Sequence, residues 1–268
     1  MSNSKILEGK HAVVFGAGGT IGPAVAQEFA AEGAEVFLAG RTRTRVEAVA
    51  TQVAAAGGRV DAAVVDALDE EAVNGYIDRI ARRTGSIDIV FNAIGRPAEE
   101  YGNGKSAVDL AIDEFMVPLN TVLKSQFITA RAAARHMVEQ RSGVIIFLTG
   151  GPARSHIEGT TAIGAAFGAI ESLTRNLALE VGPVGVRVVC LRSSAMTDSR
   201  TIQQTMEAMV SRMDVTKEQV VGRLANLTLL KVAATVSDTA KAAAFLASDR
   251  ARMMTGTVLN SSGGAVAD

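Results

Sequence analysis

Short apolar runs rich in Val and Ile alternate along this chain with longer, Ala-rich stretches whose apolar residues recur at helical spacing. That alternation predicts repeated strand–helix units and a parallel sheet buried on both faces. Strands are expected at Lys10–Phe15, Glu35–Ala39, Arg59–Val65, Ile87–Asn92, Gly143–Thr149, Val186–Leu191 and Gly256–Asn260. Helices are expected at Ile21–Ala31, Arg43–Ala56, Glu70–Thr84, Leu119–Arg141, Ala162–Val181 and Ser237–Ser248, with Ser237 and Asp238 offering a cap to the last. The architecture implied is α/β, a Rossmann-like, doubly wound seven-stranded parallel sheet with helices on both faces.

No Pro/Ser-rich linker or shift of composition divides the chain, so residues 1–268 read as a single dinucleotide-binding domain. The least regular stretches, Arg96–Asp109, Gly150–Thr161 and Ser193–Ser237, follow strands four, five and six. In an open parallel sheet the ligand crevice lies beyond the carboxyl ends of the strands, which makes these segments the expected site walls. Residues 193–237 are expected to cover a substrate. Within them Met206, Met209 and Met213 recur at helical spacing, either as a flexible lid facing an apolar ligand or as an ordinary core stripe.

With 48% hydrophobic and 21% charged residues among 268, the chain can bury a sizeable core and lies outside the range of disordered proteins. Its 27 basic and 28 acidic residues leave a net charge of −1, which argues against nucleic acid or an anionic membrane as partner. The single cysteine, Cys190, excludes an intrachain disulfide and a cysteine-rich metal site. His11, His136 and His156 are scattered without ligand spacing, so no metal is expected. The N-terminal segment has no signal-like apolar core and no later apolar run is long enough to span a membrane, and the chain is expected to be cytoplasmic.

The segment Gly16-Ala17-Gly18-Gly19-Thr20-Ile21-Gly22 leaves the first strand and opens the first helix. Glycines there permit a tight turn and let a pyrophosphate approach backbone N–H groups at the positive end of the helix. The second strand ends Phe37-Leu38-Ala39-Gly40-Arg41, where this architecture meets the adenosine ribose. An acid would accept from a free 2′-hydroxyl; Arg41 instead offers a guanidinium to a 2′-phosphate, which favours NADP(H) over NAD(H). The lesser alternative is that Arg41, Arg43 and Arg45 form a solvated helix start. Asp66, after strand three, is placed either to accept from an adenine amino group or to serve as a turn or cap residue.

These features resemble the short-chain dehydrogenase/reductase family along nearly the whole chain. Gly16 and Gly22 match the outer glycines of its nucleotide loop, with Thr20 at the usual middle glycine. Ile87-Asp88-Ile89-Val90-Phe91-Asn92-Ala93-Ile94-Gly95 is similar to its strand-four motif, retaining Asn92 and Gly95 with Ala93 in place of a second Asn. Phe245-Leu246-Ala247-Ser248-Asp249, Thr255-Gly256 and Gly263-Gly264 are similar to its C-terminal segment. The resemblance implies a dinucleotide cofactor, a small-molecule substrate and a homo-oligomer, as a tetramer. The helices Leu119–Arg141 and Ala162–Val181 would then meet across an interface through Ala130, Ala132, Ala133, Ala134, Gly164, Ala165, Ala166, Gly168 and Ala169, residues that would equally suit packing on the sheet.

The family's catalytic constellation is a Ser after strand five, a Tyr-x-x-x-Lys on the next helix and an Asn on the helix before. Here Gly150 falls at the Ser, Ile163 at the Tyr and Phe167 at the Lys, while Val122 falls at the Asn with Asn120 two residues away. Ser193-Ser194 replaces the usual Pro-Gly after strand six. The Tyr moves the proton of a hydroxyl/carbonyl pair and the Lys lowers its pKa; Ile163 and Phe167 can do neither. Thr149, His156, Glu158, Thr160 and Thr161 are the nearest alternative polar residues, and Tyr101 and Lys124 are the places to look for an acid relocated from elsewhere. Three functions remain open: an NADP(H)-dependent oxidoreductase with a non-standard site, a dinucleotide-binding protein or redox sensor without catalysis, and a non-redox enzyme on the same scaffold.

Overall fold

The computed structural model describes residues 5–213 and 215–267. Seven strands form one parallel sheet: β1 (His11–Phe15), β2 (Glu35–Gly40), β3 (Arg59–Val64), β4 (Ile89–Asn92), β5 (Gly143–Gly150), β6 (Val186–Ser193) and β7 (Thr257–Ser261). Their order is β3-β2-β1-β4-β5-β6-β7, so the winding reverses between β1 and β4. That switch point leaves a crevice beyond the carboxyl ends of these two strands.

The helices are α1 (Ile21–Ala31), α2 (Arg43–Ala55), α3 (Glu70–Thr84), α4 (Ile112–Pro118), α5 (Lys124–Gln140), α6 (Thr161–Val181), α7 (Arg200–Met213), α8 (Lys217–Asn226) and α9 (Val236–Ala247). One face of the sheet packs Val13, Phe37, Ile145, Phe147, Val188 and Cys190 against α3, α5 and α6. The other packs Val14, Leu38, Phe91, Ile146 and Leu191 against α1, α2 and α9. Alternate residues of each strand thus enter different apolar layers, the double burial that the continuous apolar runs required.

Three expectations need correction. The helix expected over Leu119–Arg141 is interrupted: a π turn spans Leu119–Leu123 and α4 precedes it. Pro118 brings no N–H to the ladder, and the Thr121 hydroxyl donates to the Val117 carbonyl at 2.6 Å, so the backbone widens for a turn before α5 resumes. The last helix starts one residue early because Thr235 is its cap: its hydroxyl accepts from the Asp238 N–H while the Asp238 carboxylate accepts from the Thr235 N–H. The stretch Ser193–Ser237, expected to be irregular, contains α7 and α8, the latter opened by a Thr216/Gln219 capping box. Its base is fastened where Thr197 N–H donates to the Ala234 carbonyl at 3.0 Å and Val236 N–H to Asp198 at 2.8 Å. Met206 is buried, whereas the side chains of Met209 and Met213 lie outside the described residues.

Candidate active site

The glycine loop wedges into the switch point. Gly16 has φ of 80°, and a Cβ placed on it would lie 2.7 Å from the Ala93 carbonyl carbon. On Gly22 a Cβ would lie 2.5 Å from the Gly16 carbonyl oxygen. Neither position admits a side chain without moving backbone, and together they close the loop over the tips of β1 and β4. No acid stands in the first turn of α1 and Thr20 makes no side-chain cap, so the helix presents its N–H donors and positive end to the crevice. The Thr20 hydroxyl instead accepts from the Arg200 N–H at 3.3 Å, which brings the start of α7 against the loop.

At the end of β2, Arg41 is exposed. A Cβ on Gly40 would lie 2.8 Å from Val46 Cγ2, so an acidic side chain does not fit there without repacking. Arg43 pairs with Glu47 at 3.3 Å on the first two turns of α2. Arg45 lies across the loop, its Cβ 3.3 Å from the Cβ position of Gly18. Asp66 holds its own turn by accepting from the Leu68 N–H at 3.0 Å, and Asp69, not Asp66, caps α3.

Asn92 is buried at the tip of β4, donating to Thr129 at 3.0 Å and accepting from the Ile94 N–H at 2.8 Å. Its role is to fix the turn that carries Ala93 and Gly95 against the glycine loop. These residues fit a dinucleotide: a side-chain-free cradle, an uncapped helix start and a cationic rim beside the second strand.

The floor of the site is different. Gly150 ends β5, and a Cβ there would lie 3.2 Å from the ring of Phe167. Ile163 is buried in the apolar layer with Val122 and Tyr101, and Phe167 packs on the same layer. Gly150, Ile163 and Val122 thus meet apolar packing rather than polar partners. Thr149 is buried, with its hydroxyl facing Glu171 at 3.4 Å and Cys190 at 3.3 Å. Burial pushes the Cys190 thiol up to about 12, which leaves it an inert thiol.

Beneath this floor lies a buried ion pair. Arg192 donates through Nε to Glu171 at 2.8 Å and through Nη2 at 2.9 Å, with both residues buried. Ile163, Phe167 and Glu171 follow one another at four-residue spacing on α6, so the pair sits one turn beyond Phe167. Sequence reading passed over it, although an Arg within the apolar run Val-Arg-Val-Val-Cys-Leu-Arg was a visible signal.

Other candidates are exposed or committed. His156 and Glu158 are exposed on the loop before α6, and Thr160 donates to the Ile157 carbonyl at 2.7 Å. Asn120 and Lys124 are exposed on the π turn and the start of α5. Among the described residues no three His, Cys, Asp or Glu side chains are grouped to hold a metal, and no helix is long and apolar enough to cross a membrane.

A family profile described as enoyl-(acyl carrier protein) reductase matches residues 16–266. An uncharacterised oxidoreductase of Bacillus subtilis is 30% identical over 266 residues, covering 97% of this chain and 92% of the relative. A tropinone reductase-like protein of Erythroxylum coca is 31% identical over 269 residues, covering 97% and 91%. Among solved structures, an actinorhodin polyketide ketoreductase with NADPH superposes with a TM-score of 0.85 at 21% identity, over 96% of this chain and 97% of the other. An NAD+-bound xylitol dehydrogenase superposes with a TM-score of 0.85 at 27% identity, over 95% and 98%.

Proposed function

This chain belongs to the short-chain dehydrogenase/reductase family, and from that premise we propose that it is an NADP(H)-dependent oxidoreductase with a non-standard active site, acting on a small organic substrate. The observation that carries the reading is the cradle at the switch point, where Gly16 and Gly22 admit no side chain and α1 offers uncapped N–H donors. When bound there, the reduced nicotinamide supplies a hydride. Arg41 and the crowded Gly40 support the 2′-phosphorylated form. Because Ile163 and Phe167 offer no acid, the substrate either needs no strong one, as an activated alkene whose enolate is protonated by water or an iminium that hydride alone completes, or takes its proton from another element.

The test is to titrate the protein with NADPH and NADH, then screen carbonyl, alkene and imine compounds for cofactor oxidation. NADPH is expected to bind at least tenfold more tightly than NADH. Tight binding with no turnover would favour the second reading, a dinucleotide sensor, which the apolar packing at Ile163 and Phe167 supports.

A homotetramer is the assembly the family resemblance implies. Ala130, Ala132, Ala133 and Ala166 are already buried within their own subunit, so the contact would rest on the exposed Phe127, Ala165 and Leu179 of α5 and α6. A monomeric mass by light scattering would refute it.

A further inference from the structure

The chain has two tyrosines, and they are equally buried but differently bonded. Tyr76 donates its hydroxyl proton to the Leu38 carbonyl at 3.0 Å and is fully explained as a strut between α3 and β2. Tyr101 closes the 3₁₀ turn Ala98–Tyr101 and is only 6% exposed, yet its oxygen accepts from the Arg96 N–H at 2.5 Å and its own proton has no acceptor among the described residues. A buried donor without an acceptor costs about 1–3 kcal/mol, so its direction calls for a cause.

That hydroxyl stands at the site. It lies 3.7 Å from the Cβ position of Gly95, two residues beyond the Ala93 contact with the glycine loop. Its ring belongs to the apolar layer that holds Ile163 and Val122. The chain just after it is pressed onto the loop entering α6: the Gly104 N–H donates to the Gly159 carbonyl at 2.9 Å, and a Cβ on Gly159 would lie 2.5 Å from Gly104 Cα. Tyr101 is therefore held between the tip of β4 and the start of α6, the two elements that bound the crevice.

We infer that Tyr101 is the proton donor of this site, and that it serves a carbonyl substrate seated between Gly95 and Ile163. The inference rests on the oxidoreductase reading. As the carbonyl carbon gains a hydride, whose electron pair comes from the reduced nicotinamide, the C=O π pair moves to oxygen. The phenol O–H bond then breaks, its proton passes to that oxygen to give the alcohol, and its electron pair stays on Tyr101 until water returns a proton. An alkoxide is more basic than a phenolate and takes this proton downhill, whereas an iminium needs none; the arrangement therefore fits a ketone or aldehyde over an iminium. The Arg96 N–H, already aimed at the phenolic oxygen, receives the charge left behind. Burial raises the phenol to about 12, opposed by the Arg96 charge and reinforced by Glu100, so the proton is present throughout the neutral range. The remaining charged neighbours are self-compensated: Arg96 pairs with Glu100, and Lys105 with Glu114 of α4 at 2.6 Å.

With [ζ-13C]tyrosine the protein gives two tyrosine signals, assigned by Tyr76→Phe and Tyr101→Phe. Binding of NADP+ is expected to shift the Tyr101 signal and bring its ionisation within reach below pH 11, leaving Tyr76 unmoved. With NADPH and a panel of ketones and aldehydes, Tyr101→Phe is expected to lower kcat about a hundredfold or more while the NADPH Kd stays within twofold. NADP+ binding that leaves Tyr101 unmoved, or carbonyl reduction by Tyr101→Phe at the parent rate, overturns the donor role alone. Failure to bind NADP(H), or no turnover of any carbonyl by the parent, overturns the oxidoreductase reading on carbonyls and the donor role with it.

Discussion

The nucleotide cradle and the α6 floor lie on either side of one crevice, yet they are built on opposite terms. The cradle works through main chain: its N–H groups and close approaches tolerate no Cβ at Gly16 or Gly22. The floor consists of side chains, and there Gly150, Ile163 and Phe167 simply pack. A backbone device cannot be altered without moving the fold, whereas side-chain chemistry can be replaced by apolar contact at little structural cost. Binding and chemistry are therefore separable in this scaffold, and the family name by itself speaks more surely for the first.

The polar group that the floor does retain is structural on this account, and removing half of it should give the largest effect. Arg192→Met leaves the Glu171 carboxylate buried beside Thr149 and should cost about 3–5 kcal/mol of unfolding free energy. Adding Glu171→Leu should restore most of it, because the pair's own net contribution is small once both charges are gone. Urea denaturation of the single and double variants decides the matter; a double variant no more stable than the single would show that the pair is not the unit. At the cradle, Gly22→Ala puts a methyl 2.5 Å from the Gly16 carbonyl oxygen. Overpacking of about 1–3 kcal/mol should appear as a tenfold to hundredfold loss of NADPH affinity in a fluorescence titration. Unchanged affinity would break the claim that the cradle has no room.

The same contrast governs what could be read in advance. α1 and α3 have their expected ends, Ile21–Ala31 and Glu70–Thr84, because each follows a turn signal and carries a clear apolar face. α7 and α8 did not stand out; among the described residues α8 buries Val220 alone, so its apolar pattern is weak. The Thr216/Gln219 spacing was the signal available for it. At the site, glycine positions in the cradle were legible because only one residue type meets their steric demand. The Glu171–Arg192 pair and the unbonded Tyr101 proton were not, because both depend on which side chains meet across elements far apart in the chain.

Between these extremes lies the rim at β2, where the proposed reading has a side chain act on a ligand without supporting the fold. Arg41 is exposed, so Arg41→Ala should leave the urea midpoint unchanged. A charged hydrogen bond to a 2′-phosphate is worth about 1.5–3 kcal/mol, and NADPH affinity should fall about tenfold or more while NADH affinity is spared. Arg45→Ala should weaken NADPH less, since that side chain reaches the loop by packing over Gly18. Equal losses for both cofactors would sink the NADP(H) assignment.

The smallest effect concerns whether the floor has adapted as a unit. A serine at 150 would bring its Cβ to 3.2 Å from the Phe167 ring, a distance at which the ring must yield by a few tenths of an ångström. Gly150→Ser alone should therefore cost about 1 kcal/mol. In a Phe167→Ala background the same change meets no ring and should cost nearly nothing, a coupling of about 0.5–1 kcal/mol by double-mutant cycle. Strict additivity would mean that the two positions pack independently. Coupling would mean that a serine cannot return while Phe167 stays, so that any attempt to rebuild the family's relay must change Gly150, Ile163 and Phe167 together. A lysine at 167 would then stand one turn from Glu171, whose carboxylate already holds Arg192, and would find no free acid there to offset its burial.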